Sequence, residues 1–149
     1  MSLENIISNK IKEAMKLKDV IRLEALRAIK ASLILIKTEG GNQEVSDSKE
    51  VSMLQKLVKQ RKDSATIYRK QNRIDLAEPE EAQAKIISEF LPKQLSESEI
   101  EIIVIESINK INANGMKDMG KVMGIVSSAL AGKADGRTIS NIVRQKLSS

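Results

Sequence analysis

The sequence predicts an all-α protein with a helical N-terminal subdomain over residues 1–93 and a small three-helix bundle over residues 94–149. Three observations carry the prediction. Apolar residues recur at spacings of three and four along nearly the whole chain, the period of one helix face. Short polar side chains suited to N-caps stand before several of these runs, and glycine or proline stands after several. Around FLPKQLSESE the periodicity changes register, which marks the boundary near residue 93.

The first run places Leu3, Ile6 or Ile7, Ile11, Ala14 and Met15 on one stripe. Asp19 then offers an N-cap for a second run through Leu23, Leu26, Ile29 or Lys30, and Leu33, which ends near Gly40–Gly41. After the polar loop NQEVSDS a third helix begins around Ser48 and carries Val51, Leu54, Val58, Ala65 and Tyr68. Arg61 falls within that stripe, so it either snorkels or pairs with a carboxylate. A fourth, shorter helix fits Pro79 to Phe90, with the proline in its first turn and Glu80 and Glu81 where the helix dipole favours negative charge. Pro92 stops it. Ser96 with Glu99 matches the S-x-x-E capping box and opens a run through Ile100, Val104, Ile108 and Ile111. Three helices are expected beyond the boundary, at about 97–113, 118–131 and 136–147, with Gly132 ending the second and Asp135 capping the third.

Composition narrows the function. Tyr68 and Phe90 are the only rings, so the core is built from Ile, Leu, Val, Met and Ala, and nucleic-acid binding by rows of stacked bases is excluded. Cysteine and histidine are absent, which removes disulfides, zinc ligand sets, thiol nucleophiles and histidine triads. The acids Asp75, Glu78, Glu80 and Glu81 crowd one helix start, where the dipole explains them, so no metal or other cofactor is expected. No apolar run approaches the roughly 18 residues of a membrane span. The N-terminus intermixes charges where a signal peptide has a continuous apolar segment. The expectation is a soluble, cytoplasmic protein with no membrane partner.

The stretch GMKDMGKVMG has the glycine and lysine spacing of a phosphate-binding loop. That reading fails because Val122 stands where a Ser or Thr would bind Mg²⁺, the preceding run is helical, and few residues follow. Gly120 and Gly124 instead lie one turn apart, and the preferred reading is close packing against a neighbouring helix, with Met119 and Met123 filling the adjoining gap. A second reading has the bare face admitting an RNA backbone beside Lys117 and Lys121.

Net charge is +5, distributed unevenly. Residues 49–73 carry eight Lys/Arg against two acids, and residues 74–106 two against nine. The two segments either attract each other or leave the basic face to an anionic polymer. Lys59, Lys62, Arg69 and Arg73 share one helical face. A charged row is ordinarily a solvated side, but this one has little acidic interleaving, and phosphate contact is the functional alternative. In the C-terminal part Lys117, Lys121, Lys133 and Arg137 are further phosphate candidates; GKADGR places Lys133 and Arg137 at the start of the last helix, where free N–H groups attract anions.

The words KQRKDS, NRIDLAE, EFLPKQLSE, DMGKVMG and GKADG, in that order, resemble the YqeY family over essentially the whole chain. That family is related to the C-terminal tail domain of the GatB subunit of glutamine-dependent aspartyl/glutamyl-tRNA amidotransferases. The resemblance implies an all-helical protein whose C-terminal part looks like the tRNA-facing tail of GatB. It also carries a label of carbon–nitrogen ligase with glutamine as amido-N donor, although in the amidotransferase other parts do the catalysis. Carried over by motif, Lys59, Arg61, Lys62, Lys121 and Lys133 are RNA-contact candidates. The function expected is a non-catalytic module that binds tRNA or tRNA-like RNA, or assists a tRNA amidotransferase. The alternative is a protein-interaction module with no RNA role.

Overall fold

A computed structural model describes residues 2–41 and 44–148, and these are α-helical with short connections. The helices are α1 (Leu3–Leu17), α2 (Val20–Glu39), α3 (Asp47–Lys70), α4 (Ile74–Ser88), α5 (Glu97–Ile111), α6 (Met119–Ala129) and α7 (Gly136–Leu147). A 3-10 turn, Met116–Asp118, leads into α6. The chain divides into two compact units, one running through Leu91 and the other starting at Pro92.

Each start has a physical cause. The side chains of Ser2, Asp19, Ser46 and Asp135 accept from the backbone N–H three residues on, at 3.1–3.3 Å. Each bond satisfies one donor that the first helical turn leaves open. At α5 the reciprocal box forms: the Ser96 hydroxyl accepts from the Glu99 N–H, and the Glu99 carboxylate accepts from the Ser96 N–H, both at 3.2 Å. The joint between α1 and α2 is Lys18, held in the left-handed region at φ 56°.

Helix α4 departs from expectation. It starts at Ile74 and therefore holds Pro79 in its second turn. The missing proline N–H leaves one rung of the ladder unmade. Packing offsets that loss: Ala77, fully buried, seats the first turn in the fold, and a two-pronged bond from Arg73 to Asp75 closes its start.

In the first unit α1 packs on α2, and α4 packs against both α2 and α3. The core contains Ile7, Leu26, Ile29, Leu54 and Ile87, each no more than 1% exposed. Burying one such side chain is worth about 1.5–3 kcal/mol. At the edge of this core the Arg22 guanidinium donates to both oxygens of Glu89, at 3.0 and 3.2 Å, and fastens the start of α2 to the end of α4. Arg61 meets no carboxylate among the described residues; it donates to the Gln83 side chain at 3.0 Å and to the Leu57 carbonyl at 3.2 Å.

The second unit closes over Ile100, Val104, Val122, Val126, Leu130 and Val143. Its connections are pinned by main chain: Leu95 N–H donates to the Lys133 carbonyl at 2.9 Å, and the Gln94 side chain donates to the Gly132 carbonyl at 2.7 Å. Gly132 is buried at φ 78°, a conformation that favours glycine at the turn after α6. No helix among the described residues is long and apolar enough to cross a membrane.

Two outcomes follow. Ser96→Ala removes the box and lowers the unfolding free energy by roughly 1 kcal/mol, measured by urea denaturation. Hydrogen bonding from Arg22 holds the Glu89 carboxyl below the usual carboxylate range, against a smaller opposing effect of burial. A depressed folded pKa stabilises the protein above the unfolded value. Stability therefore falls as pH drops through the ordinary glutamate range toward the folded pKa. Glu89→Gln flattens that acid limb relative to wild type in pH-dependent thermal melts.

Candidate nucleic-acid interface

The cations proposed from sequence fall into two groups, one in each unit. On α3, Lys59, Lys62 and Arg69 are exposed, and Arg73 caps α4 just beyond. Most of this row has acidic company. Arg69 Nε donates to Glu81 Oε1 at 2.6 Å, Arg73 grips Asp75 at 3.0 and 3.1 Å, and Lys59 Nζ lies 3.6 Å from Asp63. Arg73, through these bonds, holds the exposed Asp75 carboxyl below the usual carboxylate range. Lys62 enters no ion pair among the described residues. Exposed pairs contribute about 0–1 kcal/mol each. They neither lock the helices nor leave the row with its formal charge.

In the second unit Lys117 occupies the 3-10 turn, Lys121 the first turn of α6, Lys133 the α6–α7 connection and Arg137 the first turn of α7, all exposed. Lys117, Lys121 and Lys133 enter no ion pair among the described residues. Lys133 is positioned by its own carbonyl, which the Leu95 N–H fixes while the side chain stays exposed to solvent. The cations mark the two ends of α6, separated by its length of about 16 Å. Arg144, two turns beyond Arg137 on the same side of α7, is exposed as well. A seven-residue spacing was the signal that would have added it to the site. Lys146 is drawn to Glu101 at 2.6 Å instead.

The expected close packing at Gly120 and Gly124 is overturned. Both glycines are exposed, and a Cβ built on either meets nothing within 4 Å. The packed side of α6 belongs to Val122 and Val126, with Met119 and Met123 at its margins. At about 100° per residue, Val122 stands some 200° from each glycine, so seating the valine turns both glycines outward. The result is a strip of bare backbone on α6 beside Lys117 and Lys121.

The first unit also has an open groove of about 620 Å³ between α2 and α3, floored by Leu35, Ile36, Met53 and Leu57 and edged by Lys49 and Lys56. Among the described residues no group of acids converges to hold a metal ion.

The family model described as Yqey-like protein matches residues 4–147. The E subunit of glutamyl-tRNA(Gln) amidotransferase from Thermococcus gammatolerans is 40% identical over 73 residues, 46% of this chain and 12% of that protein. Altered inheritance of mitochondria protein 41 of Pyrenophora tritici-repentis is 30% identical over 138 residues, 91% of this chain and 75% of the relative. Its counterpart in Clavispora lusitaniae is 33% identical over 106 residues, 70% of this chain and 61% of the relative. The chain thus spans only about an eighth of the amidotransferase polypeptide but most of the fungal proteins. Both fungal proteins are mitochondrial by name, so the kinship is not confined to the cytoplasmic setting expected from sequence.

Because nothing packs on the glycine strip, Gly124→Ala removes backbone freedom at no steric cost. The expected outcome is an increase in stability of roughly 0.5–1 kcal/mol, read from denaturant unfolding. A decrease would reveal a neighbour at that face.

Proposed function

From its membership of the Yqey-like protein family and its partial likeness to the E subunit of glutamyl-tRNA(Gln) amidotransferase, we propose that this chain is a non-catalytic module that binds tRNA or tRNA-like RNA in the service of a tRNA-dependent amidotransferase. One observation carries the reading: Lys117, Lys121 and Lys133, exposed and in no ion pair among the described residues, stand at the two ends of a helix whose outer side is bare backbone, while Lys59, Arg69 and Arg73 of the first unit have acidic partners. From residue 112 to the end the sequence holds six Lys/Arg against two acids, a net of +4. With Gly120 and Gly124 facing solvent, a sugar-phosphate backbone can approach the helix axis closely, and Lys117 and Lys121 meet its phosphates. Aromatic stacking plays no part, so recognition rests on phosphates, 2′-hydroxyls and shape.

The chain has no histidine or cysteine, and this reading leaves the ligase chemistry of the amidotransferase to other polypeptides. A competing reading is a protein-interaction module that docks a partner helix on the same strip. The half-exposed Met116 and Ile125 beside the glycines favour it.

The test is binding of the purified protein to bulk tRNA across a salt series, with DNA and polyanion competitors. The RNA reading expects affinity that outlasts the competitors at physiological salt. Lys117→Glu with Lys121→Glu should weaken it and lower the salt slope by about 0.7–0.9 for each phosphate no longer neutralised. Lys59→Glu with Lys62→Glu should cost less, since Lys59 already shares its charge with Asp63. Binding that any polyanion displaces sinks the RNA reading, and partner binding indifferent to charge reversal supports the protein module.

A further inference from the structure

The dipeptide Asn114–Gly115 plays no part in the RNA reading and lies in the connection that feeds α6. We infer that it is a site of spontaneous modification, at which the chain converts its own asparagine to aspartate or isoaspartate without an enzyme. In the reaction the Gly115 backbone nitrogen attacks Asn114 Cγ. A C–N bond forms, the bond to the side-chain amide nitrogen breaks, and ammonia leaves with the proton that the backbone nitrogen gives up. Water then opens the five-membered imide at either carbonyl, giving aspartate or isoaspartate with one new negative charge.

Exposure, space and hydrogen bonding at the dipeptide favour this step. Asn114 is exposed, and its side-chain amide makes no hydrogen bond among the described residues. Gly115 has no Cβ to obstruct the ring and sits at φ 75°, with nothing within 4 Å of where a Cβ would stand. Its N–H donates to no acceptor among the described residues, so the nucleophile is not held in a ladder. The other described asparagines differ on this last point. The residue after Asn112 donates to the Ile108 carbonyl at 3.0 Å, and the residue after Asn72 donates to the Tyr68 carbonyl at 2.8 Å. Asn5, Asn9, Asn109 and Asn141 lie inside helices. Among all asparagines of the chain, Asn114 alone precedes glycine.

The product changes the turn. The Asn114 N–H donates to Asp118 Oδ2 at 2.8 Å, and a carboxylate formed at residue 114 places a second negative charge near Asp118. Isoaspartate further reroutes the main chain through the side-chain carbon and lengthens the turn by one atom. The net charge from residue 112 onward falls from +4 to +3, next to Lys117 and Lys121. The inference stands independently of what those lysines bind.

The experiment is incubation of the intact folded protein at mildly acidic and mildly alkaline pH, followed by trypsin and mass spectrometry. Cleavage after Lys110 and Lys117 releases INANGMK, which contains Asn112 and Asn114 together and supplies its own reference. Expected is the mass gain of NH₂ replaced by OH, located to residue 114 by fragmentation and several-fold faster than at residue 112. The rate should rise with pH because the attacking nitrogen must lose its proton. A methyl-transfer assay specific for isoaspartate should turn positive in step and stay negative for Asn114→Gln, whose longer side chain disfavours the five-membered ring. Equal rates at the two asparagines overturn the inference. So does an inert Asn114 in folded protein aged until the free peptide INANGMK has converted.

Discussion

Helices α3 and α4 run antiparallel across a short turn, and cations of one meet acids and amides of the other. Arg69 reaches Glu81, Arg61 reaches Gln83, and Arg73 at the turn takes Asp75. The exposed ion pairs among them are worth little singly, and the hairpin is held by the buried aliphatic side chains beneath them. Their consequence is electrostatic. The pairing of these two helices is where part of the basic segment of the sequence meets part of the acidic one. What remains for a partner is decided by which cations this pairing does not reach, among them Lys62 on α3 and Lys117, Lys121 and Lys133 in the second unit.

A core with almost no aromatic side chains also shapes the molecule. Val and Ala at Val122, Val126, Val104 and Ala134 let the three helices of the second unit close on one another without large rings between them. The cost is a thin apolar stripe on α6, only 11 residues long, with main-chain support from Leu95 just beyond its C-terminal end. Glycine on the outer side of so short a helix weakens it further. That is unfavourable for folding and intelligible if the outer side exists for contact with something else. The same helix is approached through the one asparagine whose successor is a glycine with an unengaged N–H. Its start is therefore the part of the unit most open to spontaneous chemical change.

Much was legible in the sequence because helix signals are local. Asp19, Ser96 and Asp135 identified their helices through a three-residue reach from side chain to backbone, and a bond of that range depends on little else in the fold. The family was legible too, since its words extend along the chain in order. Less legible was the start of α4. A proline suggests a first turn, and only the burial of Ala77 shows that packing carried the helix five residues further back.

By itself, then, the sequence determined the all-helical class, the caps at Asp19, Ser96 and Asp135 and the absence of thiol and imidazole chemistry, all of which follow from residue type and short-range periodicity. Tertiary structure decided the questions that depend on what stands opposite. Gly120 and Gly124 form a one-turn pair in any helix; whether that pair is packed or bare turns on which side Val122 is pulled to, and the core of α5 and α7 pulls it inward. Lys62 and Arg69 are both basic positions on one face, yet Glu81 arrives beside Arg69 and no described acid arrives beside Lys62. Residues distant along the chain set the local charge and the local contact, and no pattern along one helix contains its neighbour.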